Sequence, residues 1–224
     1  MNMIKTKKVK LRAKRVFLTK GACSNTFFYI LNREFGHPKE NEERALDPLA
    51  GIVQQGYQCG MLWGASMAVG AESFRRHNDM GVAIAVAIRA TQHLMKSFVN
   101  RTKCIDCEDF TKTDFKNKKS FAKYMLTGKF LSCFKLAEKW APEAIKAAHE
   151  GLSIELAKTD QHAISCASEV LKKMGGSEEE IIMVAGFAGG LGLSSSGCGA
   201  LGATIWKTIL ELVRKGEWKS TLSD

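Results

Sequence analysis

The feature that most limits what this chain can fold into is the helical spacing of its apolar residues. Apolar residues from Ala163 to Met174 recur three and four positions apart, which places them on one face of a helix. Helical spacing also runs from Asp79 to Val99, and no segment alternates in the way that predicts a strand. We therefore predict an all-α fold, a multi-helix bundle of about seven to nine helices.

Local signals predict where some of these helices begin and end. Two glycines from Gly175 follow an apolar helix, and glycine readily adopts the left-handed conformation found after a helix C-terminus. Ser177 and Glu180 have the spacing of a capping box, which predicts the start of another helix. We also expect Pro142 to lie in the first turn of a helix that runs through Ala148.

The order of cysteines and glycines predicts an internal repeat. One copy runs from Cys23 to a Cys-Gly pair at Cys59, and the other runs from Cys166 to a Cys-Gly pair at Cys198. The copies are unequal, because only the first is followed by further cysteines. We divide the chain into a basic N-terminal arm (1–20), a first repeat with extra Cys-bearing helices (21–150) and a truncated second repeat (151–224), packed as one compact domain.

The excess positive charge is concentrated at the N-terminus. The net charge is +10, and eight basic residues with no acidic one lie in the first 20 positions, which leaves about +2 for the rest. Nucleic-acid binding would need basic residues on a folded face with stacking aromatics or a known module, and the sequence has neither. We expect a solvated arm, or one that docks on an acidic partner such as a redox protein or a membrane surface.

The sequence predicts neither a signal peptide nor a membrane span. The apolar run at residues 16–18 is too short for a signal peptide. Two stretches without charge, residues 48–71 and 181–206, are long enough to cross a bilayer, but Gly, Ser or Gln interrupt both. We predict that both are buried, tightly packed segments, and we expect a cytoplasmic protein whose thiols stay reduced.

Cysteines supply the candidate functional groups. Cys59 and Cys198 precede predicted helices in which small residues, such as Gly60 and Gly64, allow close packing. A thiol at a helix N-terminus has a lowered pKa, because the free N–H groups and the helix dipole stabilise the thiolate. The alternative is that these cysteines are small apolar core residues without chemistry.

Cys104 and Cys107 form a C-x-x-C pair, which suits two ligands of one metal or cluster, or a dithiol–disulfide switch. A c-type haem is not expected, because Glu108 stands where histidine is needed. Cys133 follows on a predicted amphipathic helix. No catalytic residue is predicted, since the histidines do not cluster and no Ser/His/Asp arrangement is visible. The Gly-rich stretch 186–197 lacks the strand and the Lys-Ser/Thr pair of a nucleotide-binding loop.

The order Cys23, Cys59, Cys107, Cys133, with Cys59 in a Cys-Gly-x-x-x-Gly-Ala setting, resembles the C_GCAxxG_C_C family of redox-active proteins. The glycines of residues 186–202 are similar to that family's Gly-rich segment and its name motif. The resemblance covers roughly residues 14–148, and residues 159–212 as a truncated second copy. The chain departs from the family motif in two ways. Three residues rather than two precede the motif glycine, Gly64, and Cys104 is an additional thiol.

The resemblance implies a redox-active cytoplasmic helical protein with four functional cysteines. Similarity to the cluster-bearing part of split-Soret cytochromes implies an iron–sulfur cluster, for which [2Fe-2S] is the expected type, without haem. The four family positions correspond to Cys23, Cys59, Cys107 and Cys133, and Cys104 could replace one of them. We therefore predict metal ligands at Cys23, Cys59, Cys104, Cys107 and Cys133, and cofactor-site glycines at Gly60 and Gly64.

Three functions are compatible with the sequence. The first is electron transfer or redox sensing by an iron–sulfur cluster in the 23–133 region, with the second copy as a structural mate. The second is a metal-free thiol–disulfide protein, with Cys104 and Cys107, or Cys59 and a partner, as the switch. The third is a non-catalytic, partner-binding helical module with inert cysteines. The redox partner is not identified by the sequence, and Gly-rich helix faces are compatible with a homodimer.

Overall fold

The computed structural model describes residues 12–50, 55–156, 163–195 and 197–219. Within these ranges it contains eleven α-helices and no β-strand, and its one β-type contact is an isolated antiparallel bridge between Gln58 and Asp106. The helices are α1 (Ala13–Lys20), α2 (Cys23–Phe35), α3 (Glu40–Arg44), α4 (Gly60–Arg76), α5 (Met80–Thr102), α6 (Cys107–Thr111), α7 (Lys118–Leu126), α8 (Leu131–Leu152), α9 (Cys166–Lys173), α10 (Glu178–Met183) and α11 (Gly199–Arg214). Two 3-10 helices span Asp47–Leu49 and Ala185–Phe187.

The predicted all-α fold is confirmed. Three of the helices, α3, α6 and α10, have only five or six residues, and the longer ones account for the predicted number. The capping box is also confirmed, because the Glu180 N–H donates to Ser177 Oγ at 3.3 Å and the Ser177 N–H donates to the Glu180 carboxylate at 3.0 Å. The internal repeat and the domain boundaries stay predictions, and residues 1–11 of the basic arm lie outside the described residues.

The prediction that Pro142 opens a helix is wrong, because Pro142 lies inside α8. Proline in a helix interior removes one backbone hydrogen bond and crowds the carbonyl four residues earlier. Packing on both sides of α8 outweighs that cost. The ring of buried Trp140 packs against Phe27 and Phe98, with centroids 4.6 and 4.8 Å apart, so the helix continues through the proline.

Helix α4 is the centre of the fold. Residues 60–73 are all buried, and α4 packs against α2, α5 and α10. A Cβ at Gly64 would lie 1.9 Å from the Ser24 carbonyl oxygen of α2, and one at Gly70 would lie 2.4 Å from the Met183 carbonyl oxygen of α10. Glycine is therefore needed for these backbone approaches. No helix of the described residues is long and apolar enough to cross a membrane.

Helix α1 packs against the first half of α8. The ring of Phe17 lies against Phe134, with centroids 4.5 Å apart, and Ala13 is buried in the same interface. The Lys14 N–H donates to the Glu138 carboxylate at 2.8 Å. The described end of the predicted basic arm is therefore a docked helix, and it leads the chain directly to the start of α2.

Candidate functional site

Six of the seven cysteines lie where helices begin, and four of them belong to the segment 23–133. Cys23 is the first residue of α2, Cys59 is the N-cap of α4, Cys107 is the first residue of α6, and Cys133 lies in the first turn of α8. Backbone N–H groups in the first turn of a helix lack intrahelical partners and carry partial positive charge, which favours a thiolate. At Cys59 and Cys133 other effects outweigh this one and raise the pKa, so the lowered pKa predicted for Cys59 is not found.

Cys59 joins these cysteines into one group. Its thiol lies close enough to the thiols of Cys23 and Cys107 to interact with both. The thiol of Cys133 interacts electrostatically with those same two cysteines, and its Sγ lies 3.7 Å from the phenol oxygen of Tyr124. We refer to Cys23, Cys59, Cys107 and Cys133 as the four-cysteine site.

A short backbone bridge holds Cys59 beside Cys107. The Cys59 N–H donates to the Ile105 carbonyl at 2.8 Å, and the Cys107 N–H donates to the Tyr57 carbonyl at 2.9 Å. The Glu108 N–H continues the pairing by donating to the carbonyl of residue 56 at 2.8 Å. These bonds join segments that are far apart in the chain, so they fix the start of α4 against the start of α6.

The two predicted cofactor-site glycines lie along the contact between α4 and α2. A Cβ at Gly60 would lie 2.6 Å from Cys23 Sγ and 2.8 Å from the Cα of Ala50. Gly64 lies one turn further on, against the backbone of Ser24. Gly60 therefore leaves the space that the Cys23 thiol occupies, and Gly64 lets α2 and α4 approach. Contact of either glycine with a cofactor stays a prediction.

The structure does not bring Cys104 into these contacts. Its Sγ lies 3.5 Å from the Thr102 carbonyl at the end of α5. Burial, followed by the charge of Asp109, raises the pKa of the Cys104 thiol, while Lys112 acts in the opposite direction. Its place in a ligand set stays a prediction. Cys166 and Cys198 lie exposed at the starts of α9 and α11.

The thiols of the site differ in how readily they ionise. The hydrogen bond from the Cys59 thiol lowers the pKa of Cys23, and the backbone N–H groups of Ser24 and Gly60 act in the same direction against burial. The contacts with Cys107 and Cys23 raise the pKa of Cys59 well above its ordinary value. Cys59 therefore holds its proton more tightly than Cys23 does.

Cys133 is held in its neutral form for another reason. Burial raises the pKa of Cys133 to about 11, although the Tyr124 hydroxyl lowers it by hydrogen bonding. Burial, followed by the neighbouring Cys133, raises the pKa of Tyr124, so the phenol keeps its proton and remains a donor. Tyr124, a residue of α7, is itself buried.

These differences predict how the reduced, metal-free protein reacts with an alkylating agent. At pH 8 only roughly one Cys133 in a thousand is expected to be thiolate, so its alkylation should be slow and should accelerate about tenfold per pH unit up to pH 10. Mass spectrometry of the labelled peptides measures this, with exposed Cys166 as the reference thiol. Labelling of Cys133 as fast as Cys166 at pH 8 would contradict the assignment.

Sequence reasoning missed two residues of the site, Tyr124 and Gln58. Tyr124 carries no motif that would single it out. The buried Gln58 side chain donates from Nε2 to the Gly190 carbonyl at 3.2 Å. That carbonyl belongs to the Gly-rich turn, where Leu191 and Leu193 have φ values of 65° and 64°. The turn therefore supports the segment that leads into Cys59, and the only sequence signal was the position of Gln58 beside that cysteine.

The four-cysteine site has the donor atoms of a metal centre but not the arrangement that a single metal ion needs. Across the described ranges, no group of three or more His, Cys, Asp or Glu side chains is arranged to hold a metal ion. The four-cysteine site nevertheless brings together four sulfur donors, and that is the donor chemistry of iron–sulfur clusters. The residues present therefore fit a sulfur-ligated cluster in donor type, while a site for one ion is not formed.

One comparison with known proteins covers the part of the chain that contains these cysteines. A family model described as "Putative redox-active protein (C_GCAxxG_C_C)" matches residues 22–146. Searches of curated proteins and of solved structures returned no match. The matched range begins just before Cys23, extends beyond Cys133 and covers more than half of the sequence. On that match, the chain belongs to the C_GCAxxG_C_C family of redox-active proteins.

Proposed function

We propose that this protein transfers electrons or senses redox state through an iron–sulfur cluster held by Cys23, Cys59, Cys107 and Cys133. The observation that carries the proposal is the position of Cys59 between Cys23 and Cys107. A Cβ at Gly60, the next residue, would lie 2.6 Å from Cys23 Sγ, and the backbone bridge holds Cys59 beside Cys107. Cys133 is close enough to interact with the same pair. Four cysteine thiolates are the usual ligands of [2Fe-2S] and [4Fe-4S] clusters. Membership of a redox-active family supports a redox function.

The two-iron type is the form that we propose. A structural zinc ion needs four ligands that converge tetrahedrally on one point, and the described residues offer no such arrangement. A cluster distributes its protein ligands over more than one iron, so the thiols need not converge on a single centre. When bound, the cluster would supply a centre that accepts and releases one electron.

The chain's own residues would then hold and tune this centre. The N–H groups of Ser24 and Gly60 stabilise the thiolate of Cys23, and the Tyr124 hydroxyl lies next to the Cys133 sulfur. Donors around a sulfur ligand stabilise its negative charge, which grows on reduction, and so they raise the reduction potential. The burial of Cys59 keeps water away from the centre of the group.

A metal-free thiol–disulfide protein is the second candidate, and the direct contacts of Cys59 favour it. Cys59 could form a disulfide with Cys23 or Cys107, releasing two electrons and two protons to an oxidised disulfide of a partner protein. All seven cysteines are free thiols. These contacts favour Cys59 as the switch over the pair Cys104 and Cys107. A helical module with inert cysteines is the third candidate.

Iron and acid-labile sulfide analysis of protein purified and reconstituted without oxygen separates these candidates. We expect two irons and two sulfides per chain for a [2Fe-2S] centre, together with visible absorption that bleaches with dithionite. A colourless protein after reconstitution would contradict the cluster proposal. Rapid formation of one disulfide at Cys59 would then identify the second candidate, and the absence of any intramolecular disulfide under the same oxidation would identify the third.

The Tyr124 hydroxyl gives a further prediction for the loaded protein. Tyr124→Phe removes the donor beside Cys133 and is expected to lower the reduction potential by roughly 50 mV, since 59 mV corresponds to a factor of ten for one electron and hydrogen bonds to charged groups contribute about 1.5 kcal/mol. A redox titration followed at a visible band measures the shift. Phe121→Leu, on the same helix, is the control, and an equal shift in both variants would contradict a specific role for the hydroxyl.

A further inference from the structure

A lysine-rich surface lies directly over the four-cysteine site. Between residues 112 and 139 the chain has eight lysines and two acidic residues, and all eight lysines are exposed. The six that precede α8 lie on or beside α7, whose Tyr124 contacts Cys133. We define the lysine surface as these six residues: Lys112, Lys116, Lys118, Lys119, Lys123 and Lys129.

Some other lysines of the chain form ion pairs with glutamates, whereas, within the described ranges, the six of the lysine surface do not. Lys20, Lys39 and Lys146 each pair with a glutamate, at 2.6, 2.7 and 3.7 Å. No ion pair among the described residues involves a lysine of the lysine surface, although Glu108 and Asp114 act on Lys116 from a distance. The surface therefore presents positive charge that the chain does not neutralise by direct contact, and such a field steers acidic partners.

Apolar side chains are exposed among these charges. Leu126 is 87% exposed, and Phe121, Met125 and Leu131 are 38%, 48% and 46% exposed. These residues belong to a single stretch of eleven positions, whereas most other large apolar side chains are buried. Apolar contact surrounded by charge is the composition of a protein–protein interface, where the apolar part contributes affinity and the charge contributes orientation and association rate.

An aromatic cluster connects this surface to the thiols. The Tyr124 ring lies 5.3 Å from Phe115, 6.2 Å from Phe121 and 6.5 Å from Phe130, measured between ring centroids. Lys116 donates to the Tyr57 hydroxyl at 3.1 Å, and the backbone carbonyl of Tyr57 accepts the Cys107 N–H. A partner bound on the lysine surface would therefore lie next to Tyr124 and the aromatic rings around it, which adjoin the four-cysteine site.

We propose that the lysine surface docks an acidic electron-transfer protein. The proposal rests on the redox function proposed above. In the step that it serves, one electron leaves the reduced carrier, which is oxidised by one electron, and the centre at the four-cysteine site is reduced by one. Charge complementarity selects an acidic partner, and the apolar side chains exposed among the lysines favour a protein over a bilayer surface.

Stopped-flow reduction of the loaded protein by an acidic flavodoxin tests the proposal. The test variant carries Lys118→Glu, Lys119→Glu and Lys123→Glu. Its second-order rate constant at low ionic strength is expected to fall about tenfold or more, and the difference should disappear at about 1 M salt. The matched control carries Lys172→Glu, Lys173→Glu and Lys215→Glu. It makes the same charge change on exposed residues at the end of α9 and just after α11, and should lose less than about threefold.

Dithionite reduction of the same samples separates this proposal from the redox function. Equal reduction by dithionite in all three proteins shows that the centre is intact, so a selective loss with flavodoxin supports docking on the lysine surface. A wild-type rate that does not change with salt, or an equal loss in both triple variants, would overturn the docking proposal and leave the redox function standing. Binding to phosphatidylserine vesicles through these lysines, without an effect on the flavodoxin rate, would overturn it in favour of a membrane surface.

Discussion

Replacing Cys59 with serine is expected to reduce the iron and sulfide bound after reconstitution by roughly tenfold or more. Cys59 is the thiol that lies beside two others of the four-cysteine site, and it is the most buried of the four. Its loss would leave Cys23 and Cys107 without their shared partner, whereas the backbone bridge that positions residue 59 does not depend on its side chain. Iron and sulfide analysis with visible spectroscopy measures the effect.

Cys198→Ser is the matched control for this experiment. Cys198 is the N-cap of α11 and precedes a glycine, as Cys59 is the N-cap of α4 and precedes Gly60. It is exposed and lies outside the contacts of the site, so we expect iron and sulfide contents equal to those of the wild type. Equal cluster contents in the two variants would remove Cys59 from the ligand set.

Gly64→Ala is expected to destabilise the metal-free protein by about 3 kcal/mol or more. Its Cβ would lie 1.9 Å from the carbonyl oxygen of Ser24 and 3.0 Å from the backbone nitrogen of Phe28. Both are backbone atoms of α2, so no side-chain rotation relieves the overlap and the two helices must separate. Because α2 carries Cys23 and α4 follows Cys59, the separation should also lower cluster content.

Urea denaturation measures this loss, with Gly216→Ala as the control. Gly216 has a φ of +73°, and a Cβ there would meet no atom within 4 Å. Alanine at residue 216 should therefore cost only the backbone strain of the left-handed conformation, about 1 kcal/mol. If Gly64→Ala loses no more stability than Gly216→Ala, the close approach of α2 and α4 is contradicted.

The fold class was predictable because it depends on periodic patterns. Apolar spacing defines α5 and α9, and the Ser177 capping box marks the start of α10. Pro142 shows where such rules fail. A local preference for the first turn of a helix is outweighed by the burial of Trp140 between Phe27 and Phe98, which are distant in sequence.

The candidate site was only partly predictable, because contacts between residues that are distant in sequence complete it. The cysteine order pointed to Cys23, Cys59, Cys107 and Cys133, but spacing alone could not separate Cys104 from Cys107. That separation depends on the pairing of residues 56–59 with 105–108, which follows no periodic pattern. Tyr124 was missed because its role comes from the contact of its hydroxyl with Cys133, and a single tyrosine in a lysine-rich helix carries no signal.

The most direct test of the central claim is a thiol footprint of the whole chain. Protein kept without oxygen is alkylated before and after reconstitution with iron and sulfide, for long enough that the slow thiols of Cys59 and Cys133 react in the metal-free sample. Labelling of all seven cysteines is quantified by mass spectrometry. We expect Cys23, Cys59, Cys107 and Cys133 to become protected together, while Cys104, Cys166 and Cys198 label equally in both samples. Unchanged labelling of the four, or protection of Cys104 in place of one of them, would contradict the four-cysteine site.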